Sequence, residues 1–99
     1  MPTLHVHLQT GFDADTVEVY FDDETVYQET DVLTPPMLGI ASEFEIETEA
    51  GKHSITVRVP NRGTNGTTTI QVARDTYLGV SLEDTELAFH VSSEPFEYM

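Results

Sequence analysis

The stretch Glu43–Val59, EFEIETEAGKHSITVRV, decides the fold class. Side chains along a β-strand alternate between its two faces, so Phe44, Ile46 and Thr48 point one way and four glutamates point the other. The same alternation returns after Ala50-Gly51, where apolar residues again occupy every second position. Two short alternating segments around a turn-forming pair are typical of antiparallel β-structure.

We predict a β-hairpin over this stretch. A slip of one residue would place serine and threonine opposite the apolar side chains, so the alternation specifies an even-length loop. The predicted cross-strand pairs are Phe44 with Val57, Ile46 with Ile55 and Thr48 with His53. The glutamates then form a solvated face that discourages pairing with other strands.

Length and charge limit what the chain can be. Its 99 residues, without cysteine, suffice for one domain spanning residues 1–99, held together without disulfides. Eighteen acidic residues against four basic ones give a net charge of −14. This balance disfavours nucleic acid and anionic membranes as partners, because both require clustered lysine and arginine. The N-terminus has neither a basic region nor an apolar run, so a cytoplasmic or virion-associated protein is expected.

The acidity has three interpretations, and the sequence leaves them open. It can maintain solubility, including in a high-salt, halophilic setting. It can hold hard cations such as Ca²⁺. It can attract a basic protein partner.

Further alternating segments predict an all-β fold. We expect an antiparallel two-sheet β-sandwich of about eight strands, with an Ig-like or transthyretin-like Greek key, and a small jelly roll or barrel as the alternative. Asn65-Gly66 is expected to form a tight turn. The other predicted pairs are Val26 with Phe21, Tyr20 with Tyr27, Leu82 with Leu87, Val80 with Phe89 and Leu78 with Val91.

Residues 17–59 resemble the PEGA-type repeats of bacterial surface and envelope β domains. The matching pieces are VEVYFDDETVY at 17–27, Thr34-Pro35 and GKHSITV at 51–57, although the Pro-Glu-Gly-Ala element itself is absent. The resemblance covers less than half of the chain. It implies a non-catalytic β module.

Two sets of residues are candidate metal ligands. His5 and His7 lie two residues apart on one strand face, about 6–7 Å from each other, and His90 joins them if the first and last strands are neighbours. If the strands alternate up and down, the loops after the first, third, fifth and seventh strands share one end of the sandwich. Carboxylates in those loops then form a candidate Ca²⁺ site that includes Asp13, Asp15, Asp31 and Asp84.

Aromatic and apolar residues give the remaining candidates. A Tyr20–Tyr27 pair on the outward face is a possible platform for carbohydrate stacking or for protein contact. The segment TPPMLGIA at 34–41 contains Met37, Leu38 and Ile40 without a strand pattern, so it either caps the sandwich or is covered by another chain. No nucleophile–base motif is present. We therefore expect a non-enzymatic structural or protein-interaction module without a required cofactor, working with a protein partner or by self-association. The alternative is a Ca²⁺- or carbohydrate-binding domain.

Overall fold

The computed structural model describes residues 1–96 and confirms the two-sheet β-sandwich. The strands are β1 (Thr3–Leu8), β2 (Asp15–Phe21), β3 (Glu24–Val32), β4 (Ser42–Glu47), β5 (Gly51–Val59), β6 (Thr64–Val72), β7 (Thr76–Glu83) and β8 (Glu86–Ser92). One sheet has the strand order β4-β1-β7-β8, and the second has the order β3-β2-β5-β6. Within this range no helix is long and apolar enough to cross a bilayer.

The core lies between the two sheets and is aliphatic. Inward positions of β1, β2, β5 and β7 supply most of it, because these four strands are central in their sheets and bury every second side chain. Phe12, in the loop after β1, closes one end. The fully buried aliphatic side chains are Leu4, Val6, Leu8, Val17, Val19, Ile55, Val57, Val59, Val72, Leu78 and Val80.

Strand pairing is antiparallel except between β1 and β7, which run parallel in the middle of the first sheet. After the β2–β3 hairpin the chain returns to place β4 beside β1, and later β5 beside β2. This is the crossing pattern of a Greek key. Immunoglobulin constant domains divide their strands differently, with the first, second, fourth and fifth strands in one sheet.

The β7–β8 hairpin confirms the predicted register. Leu82 lies opposite Leu87, Val80 opposite Phe89 and Leu78 opposite Val91. Its two-residue turn, Asp84-Thr85, contains Asp84 at φ 62°, the positive φ that tight hairpin turns require.

The hairpin predicted over Glu43–Val59 is wrong. β4 pairs with β1 in one sheet, whereas β5 pairs with β2 and β6 in the other, so residues 48–50 carry the chain from sheet to sheet. Phe44 and Val57 both face the interior, but from opposite sheets. Alternation of apolar residues shows which face of a strand is buried. It does not show whether two such strands pair within one sheet or face each other across the core.

One predicted turn and two predicted strand pairs are also wrong. Asn65-Gly66 lies inside β6, with Gly66 opposite Val57, because the turn is made earlier by a 3-10 turn at Pro60–Arg62 and by Gly63 at φ 63°. In the β2–β3 hairpin the turn residues Asp22 and Asp23 both have positive φ, and the register then shifts between Val19 and Tyr20. Tyr20 consequently faces Thr25, and Val26 is not paired with Phe21.

Candidate functional site

The apolar segment between β3 and β4 is a loop held at both ends. The backbone N–H of Thr34 donates to the Phe12 carbonyl at 2.9 Å, and its hydroxyl donates to the Gln9 carbonyl at 2.6 Å. At the other end the Ala41 N–H donates to the Leu8 carbonyl at 2.7 Å. Between these anchors the Leu38 N–H donates to the Pro35 carbonyl at 3.1 Å and closes a turn. Hydrogen bonds therefore fix both ends of the loop to the segment that begins at the end of β1.

The tip of this loop points its largest side chains into solvent. Met37 is 83% exposed and Leu38 is 54% exposed, while Ile40 is half-buried. The sequence predicted that this segment either caps the sandwich or is covered by another chain. Within residues 1–96, the exposed Met37 and Leu38 do not cap the sandwich. Leu33 at the start of the loop is also exposed, so the segment presents a small apolar surface.

The acidic edge strand β4 runs directly from this loop. Glu43, Glu45 and Glu47 are exposed and alternate with the half-buried Phe44 and Ile46. Besides a depression on the β3 side, Glu43 lines two depressions along the loop and β4. One is lined by Pro35, Leu38 and Ile40 of the loop, and the other is a groove on the outer face of the first sheet. The apolar loop and the groove are thus joined through one carboxylate.

The groove, of about 610 Å³, has a floor of rings and an acidic wall. His5 stacks on Tyr77 of β7, with ring centroids 4.4 Å apart and planes inclined by 10°. The β1–β4 register sets His5 opposite Glu45 and His7 opposite Glu43. The imidazole–carboxylate distances are 3.1 Å for the first pair and 3.5 Å for the second. We call the apolar loop (residues 33–40), β4 and this groove together the loop–β4 surface.

His7 is the buried member of the ring cluster. Phe96 approaches it edge-on at 5.4 Å, and Tyr77 does so at 6.3 Å. Burial lowers the pKa of His7 below the ordinary histidine value; Glu43 opposes this shift and His5 adds to it. At neutral pH the ring is therefore neutral and acts as part of the aromatic floor.

The three histidines do not converge as metal ligands in this structure. His90 shares a row with His7, but Gly79 of β7 lies between them because β7, not β8, neighbours β1. The Phe96 ring lies 5.6 Å from His90 and 5.4 Å from His7. Within residues 1–96, no group of three or more histidine and carboxylate side chains has an arrangement suited to a metal ion.

Asp15, one of the predicted Ca²⁺ ligands, forms an ion pair with Arg62 of the same chain. The loops after β1, β3, β5 and β7 do share one end, as expected from the alternation of strands. There the fully buried Asp15 accepts two hydrogen bonds from Arg62, at 2.9 and 2.8 Å. The Asn61 amide and the Asp13 N–H also donate to it, at 2.6 and 2.8 Å.

Arg62 joins the remaining loops to this carboxylate. Its guanidinium also donates to the carbonyls of Gly11 and Asp84, at 3.2 and 3.0 Å. Burial alone would raise the pKa of Asp15, but the hydrogen bonds from Arg62, Asp13 and Asn61 outweigh it and hold that pKa below its ordinary value. Asp15 is thus saturated by protein donors. Asp31 lies apart from this cluster, on β3, in a depression that Glu43 also lines.

Sequence reasoning missed Arg62. Asp15 has the same inward parity as Val17 and Val19, and a buried carboxylate needs a positive partner. With four basic residues in the chain, this signal would have made Arg62 one of four candidates. Proximity in sequence gives no such signal, because 47 positions separate the two residues.

The predicted tyrosine pair is not formed. The register shift after Val19 leaves Tyr20 on the outer face, where its hydroxyl donates to Glu18 at 3.0 Å and its ring lies 6.0 Å from the Arg58 guanidinium. Tyr27 stacks on Phe44 of the opposite sheet, with ring centroids 4.6 Å apart. The two rings therefore do not make one platform, although Tyr27 borders the loop–β4 surface through Phe44.

Neither the family models nor the curated proteins and solved structures yield a match to this chain.

Proposed function

We propose that this protein is a non-enzymatic interaction module that binds a protein segment carrying both apolar and basic side chains on the loop–β4 surface. Exposure of Met37 and Leu38 on a loop anchored at both ends is the observation that supports the proposal most strongly. The module acts within a cytoplasmic or virion assembly. Its contact residues are Met37, Leu38, Ile40 and Tyr27. Tyr20 lies outside the loop–β4 surface and is not included.

The apolar tip supplies the affinity. Burying a methionine or leucine side chain is worth about 1.5–3 kcal/mol each. Methionine also adapts its shape to a partner, which suits a recognition loop. Because the loop backbone is already held by Thr34 and Ala41, little conformational freedom is lost when a partner orders it further.

The charge supplies the choice of partner. Glu43, Glu45 and Glu47 lie beside the apolar tip, on a chain with net charge −14. Such a field accelerates association with basic segments and repels acidic ones. In the groove, a lysine or arginine side chain would meet the carboxylates of Glu43 and Glu45 and the ring of Tyr77. A tyrosine ring also attracts cations.

Selection of peptides from a random library on the immobilised protein tests the proposal. Enriched peptides should combine aliphatic or aromatic residues with lysine or arginine. Their affinity should fall at least about tenfold for M37S/L38S, which corresponds to about 1.4 kcal/mol. It should also fall as salt is raised, because exposed charges are screened.

Val91→Ser is the matched control, since Val91 is 49% exposed on β8, outside the loop–β4 surface. Both variants should stay close to the thermal stability of the parent, because about half or more of each altered side chain is already in solvent. Enrichment of peptides without basic residues, or equal binding to the parent and to M37S/L38S, would contradict the proposal.

A further inference from the structure

The edge strands of the two sheets differ in charge. The edges β3 and β4 form one flank of the sandwich, where Tyr27 stacks on Phe44, and six carboxylates lie on these strands. Those carboxylates are Glu24, Glu29, Asp31, Glu43, Glu45 and Glu47. On the opposite flank β6 carries no charged residue, and β8 carries Glu86 alone. Charged side chains on edge strands prevent pairing with other chains, so the β6 flank lacks the protection that the β3–β4 flank has.

β6 itself has the properties of a pairing strand. It is nine residues long, TNGTTTIQV, and threonine and isoleucine are residues that favour strands. All nine residues pair with β5 on one side. Alternate backbone N–H and C=O groups of an edge strand point away from its neighbour. Among residues 1–96, no segment other than β5 forms backbone hydrogen bonds with β6.

Apolar side chains lie beneath this edge. β8 underlies β6 closely enough that a Cβ built on Gly66 would lie 3.2 Å from the Phe89 ring. Leu87 and Phe89 are half-buried at this junction. A strand added to β6 would cover part of this apolar surface in addition to gaining main-chain hydrogen bonds.

We propose that the β6 edge binds a second copy of this chain, with the two β6 strands antiparallel about a two-fold axis. Charge selects this occupant. Two copies that each carry −14 can meet here without opposing carboxylates, whereas a basic partner would find no carboxylate on β6 to hold it. The acidic β3 and β4 edges would then lie at the two far ends of the dimer. At physiological salt, repulsion between the carboxylates of the two copies would be screened over that distance.

The two-fold arrangement also fits the side chains. If the axis lies near Thr68, all nine residues of β6 pair, and Thr67 faces Thr69 of the second copy. Threonine–threonine pairs across antiparallel strands are favourable. An isologous contact of this kind closes at two chains, since both β6 edges are used.

Light scattering across a concentration series, in about 0.15 M salt, tests the proposal. The mass should rise from 11.1 kDa toward twice that value. Thr69→Glu should shift the protein back to monomer, because the dimer would then hold two added carboxylates near its axis. The matched control is Thr25→Glu on β3, which makes the same substitution at an exposed position of the other edge and should leave the mass unchanged.

Hydrogen exchange on the unaltered protein provides a second readout that does not depend on a variant folding. Amides of β6 should become more protected as concentration rises, while amides of β3 should not. A constant mass of 11.1 kDa, retention of the dimer by Thr69→Glu, or equal loss in both variants would overturn the proposal. So would dissociation by M37S/L38S, which would place the contact on the apolar loop instead.

Discussion

His53, at the start of β5, is held between two hydrogen-bond acceptors. Its Nδ1 lies 2.6 Å from an Asp22 carboxylate oxygen, and its Nε2 lies 2.8 Å from the Glu49 carbonyl. Both neighbours accept hydrogen bonds, so both ring nitrogens must donate, and the protonated imidazole fits this site. The hydrogen bond to Asp22, followed by that to Glu49, raises the pKa of His53 above the ordinary 6.5. The Thr48 hydroxyl lies 3.2 Å from Nε2, so the predicted neighbours Thr48 and His53 do meet, although they are not strand partners.

Stability should therefore depend on pH through His53. A raised folded-state pKa contributes stability that is fully present below about pH 6.5 and is lost as pH rises through the higher pKa of the folded state. NMR titration of the histidine rings should show His53 above 6.5 and His7 below it, since burial lowers the pKa of His7.

Asp22→Asn isolates the cause. Loss of the carboxylate should return the pKa of His53 toward its ordinary value and reduce the stability gained at low pH. Asp23→Asn removes a neighbouring exposed carboxylate and should leave the His53 titration in place. Equal effects of the two substitutions would show that general charge, rather than the Asp22 hydrogen bond, controls the ring.

At the scale of elements, Arg62 is the centre that holds the loops together. It lies in the 3-10 turn after β5 and contacts the loops after β1 and β7 as well as Asp15 at the start of β2. Asp15 is fully buried, so removal of the guanidinium would leave a carboxylate without its charge partner.

Arg62→Met should lower the free energy of unfolding by about 3 kcal/mol, the scale for breaking a buried ion pair by removing one partner. Arg58→Met is the control. Arg58 is exposed and lies 3.6 Å from Glu18, and surface pairs of this kind contribute about 0–1 kcal/mol. Urea denaturation of both variants measures the difference. Similar small losses would mean that Asn61 and the Asp13 N–H suffice for Asp15.

The elements also show how far the sequence predicts the structure. Within β1, β2 and β7 the alternation of apolar residues identifies the buried face correctly, because burial is a local property of the strand. The β7–β8 partners are predictable since a two-residue turn sets the register. The partner of β4 is not predictable, because β1 lies about 40 residues away and pairing over that distance leaves no local pattern.

The same limit applies to the candidate site. The exposed loop at Met37 and Leu38 is recognisable as an apolar run without strand alternation. The groove is not, because it combines Glu43 and Glu45 with His5, His7 and Tyr77, which only the β4-β1-β7 order brings together. Its composition depends on strand order, and strand order is set by the whole fold.

The whole molecule has a repulsive charge that salt should relieve. Eighteen acidic residues face four basic ones, and screening shortens the range of repulsion to about 8 Å at 0.15 M salt. The melting temperature should therefore rise with NaCl, by about 4–8 °C for each kcal/mol gained. Calorimetry over a salt series measures this rise.

A glutamine variant shows whether carboxylates cause the rise. E24Q/E29Q/E47Q removes three exposed charges from the β3–β4 flank and should flatten the salt dependence. An unchanged slope would assign the effect to salt acting on apolar burial instead. A larger rise in millimolar CaCl₂ than in NaCl of equal ionic strength would show specific Ca²⁺ binding, for which the saturated Asp15 offers no free ligand.

The parallel pairing of β1 with β7 has a consequence for how the chain folds. β1 is central in its sheet, and the Thr3 N–H donates to Asp75, 72 residues away. During synthesis, β1 and β7 therefore cannot pair until nearly the whole domain has left the ribosome. Such distant contacts slow folding, so we expect refolding in milliseconds to seconds, with β1 protected late.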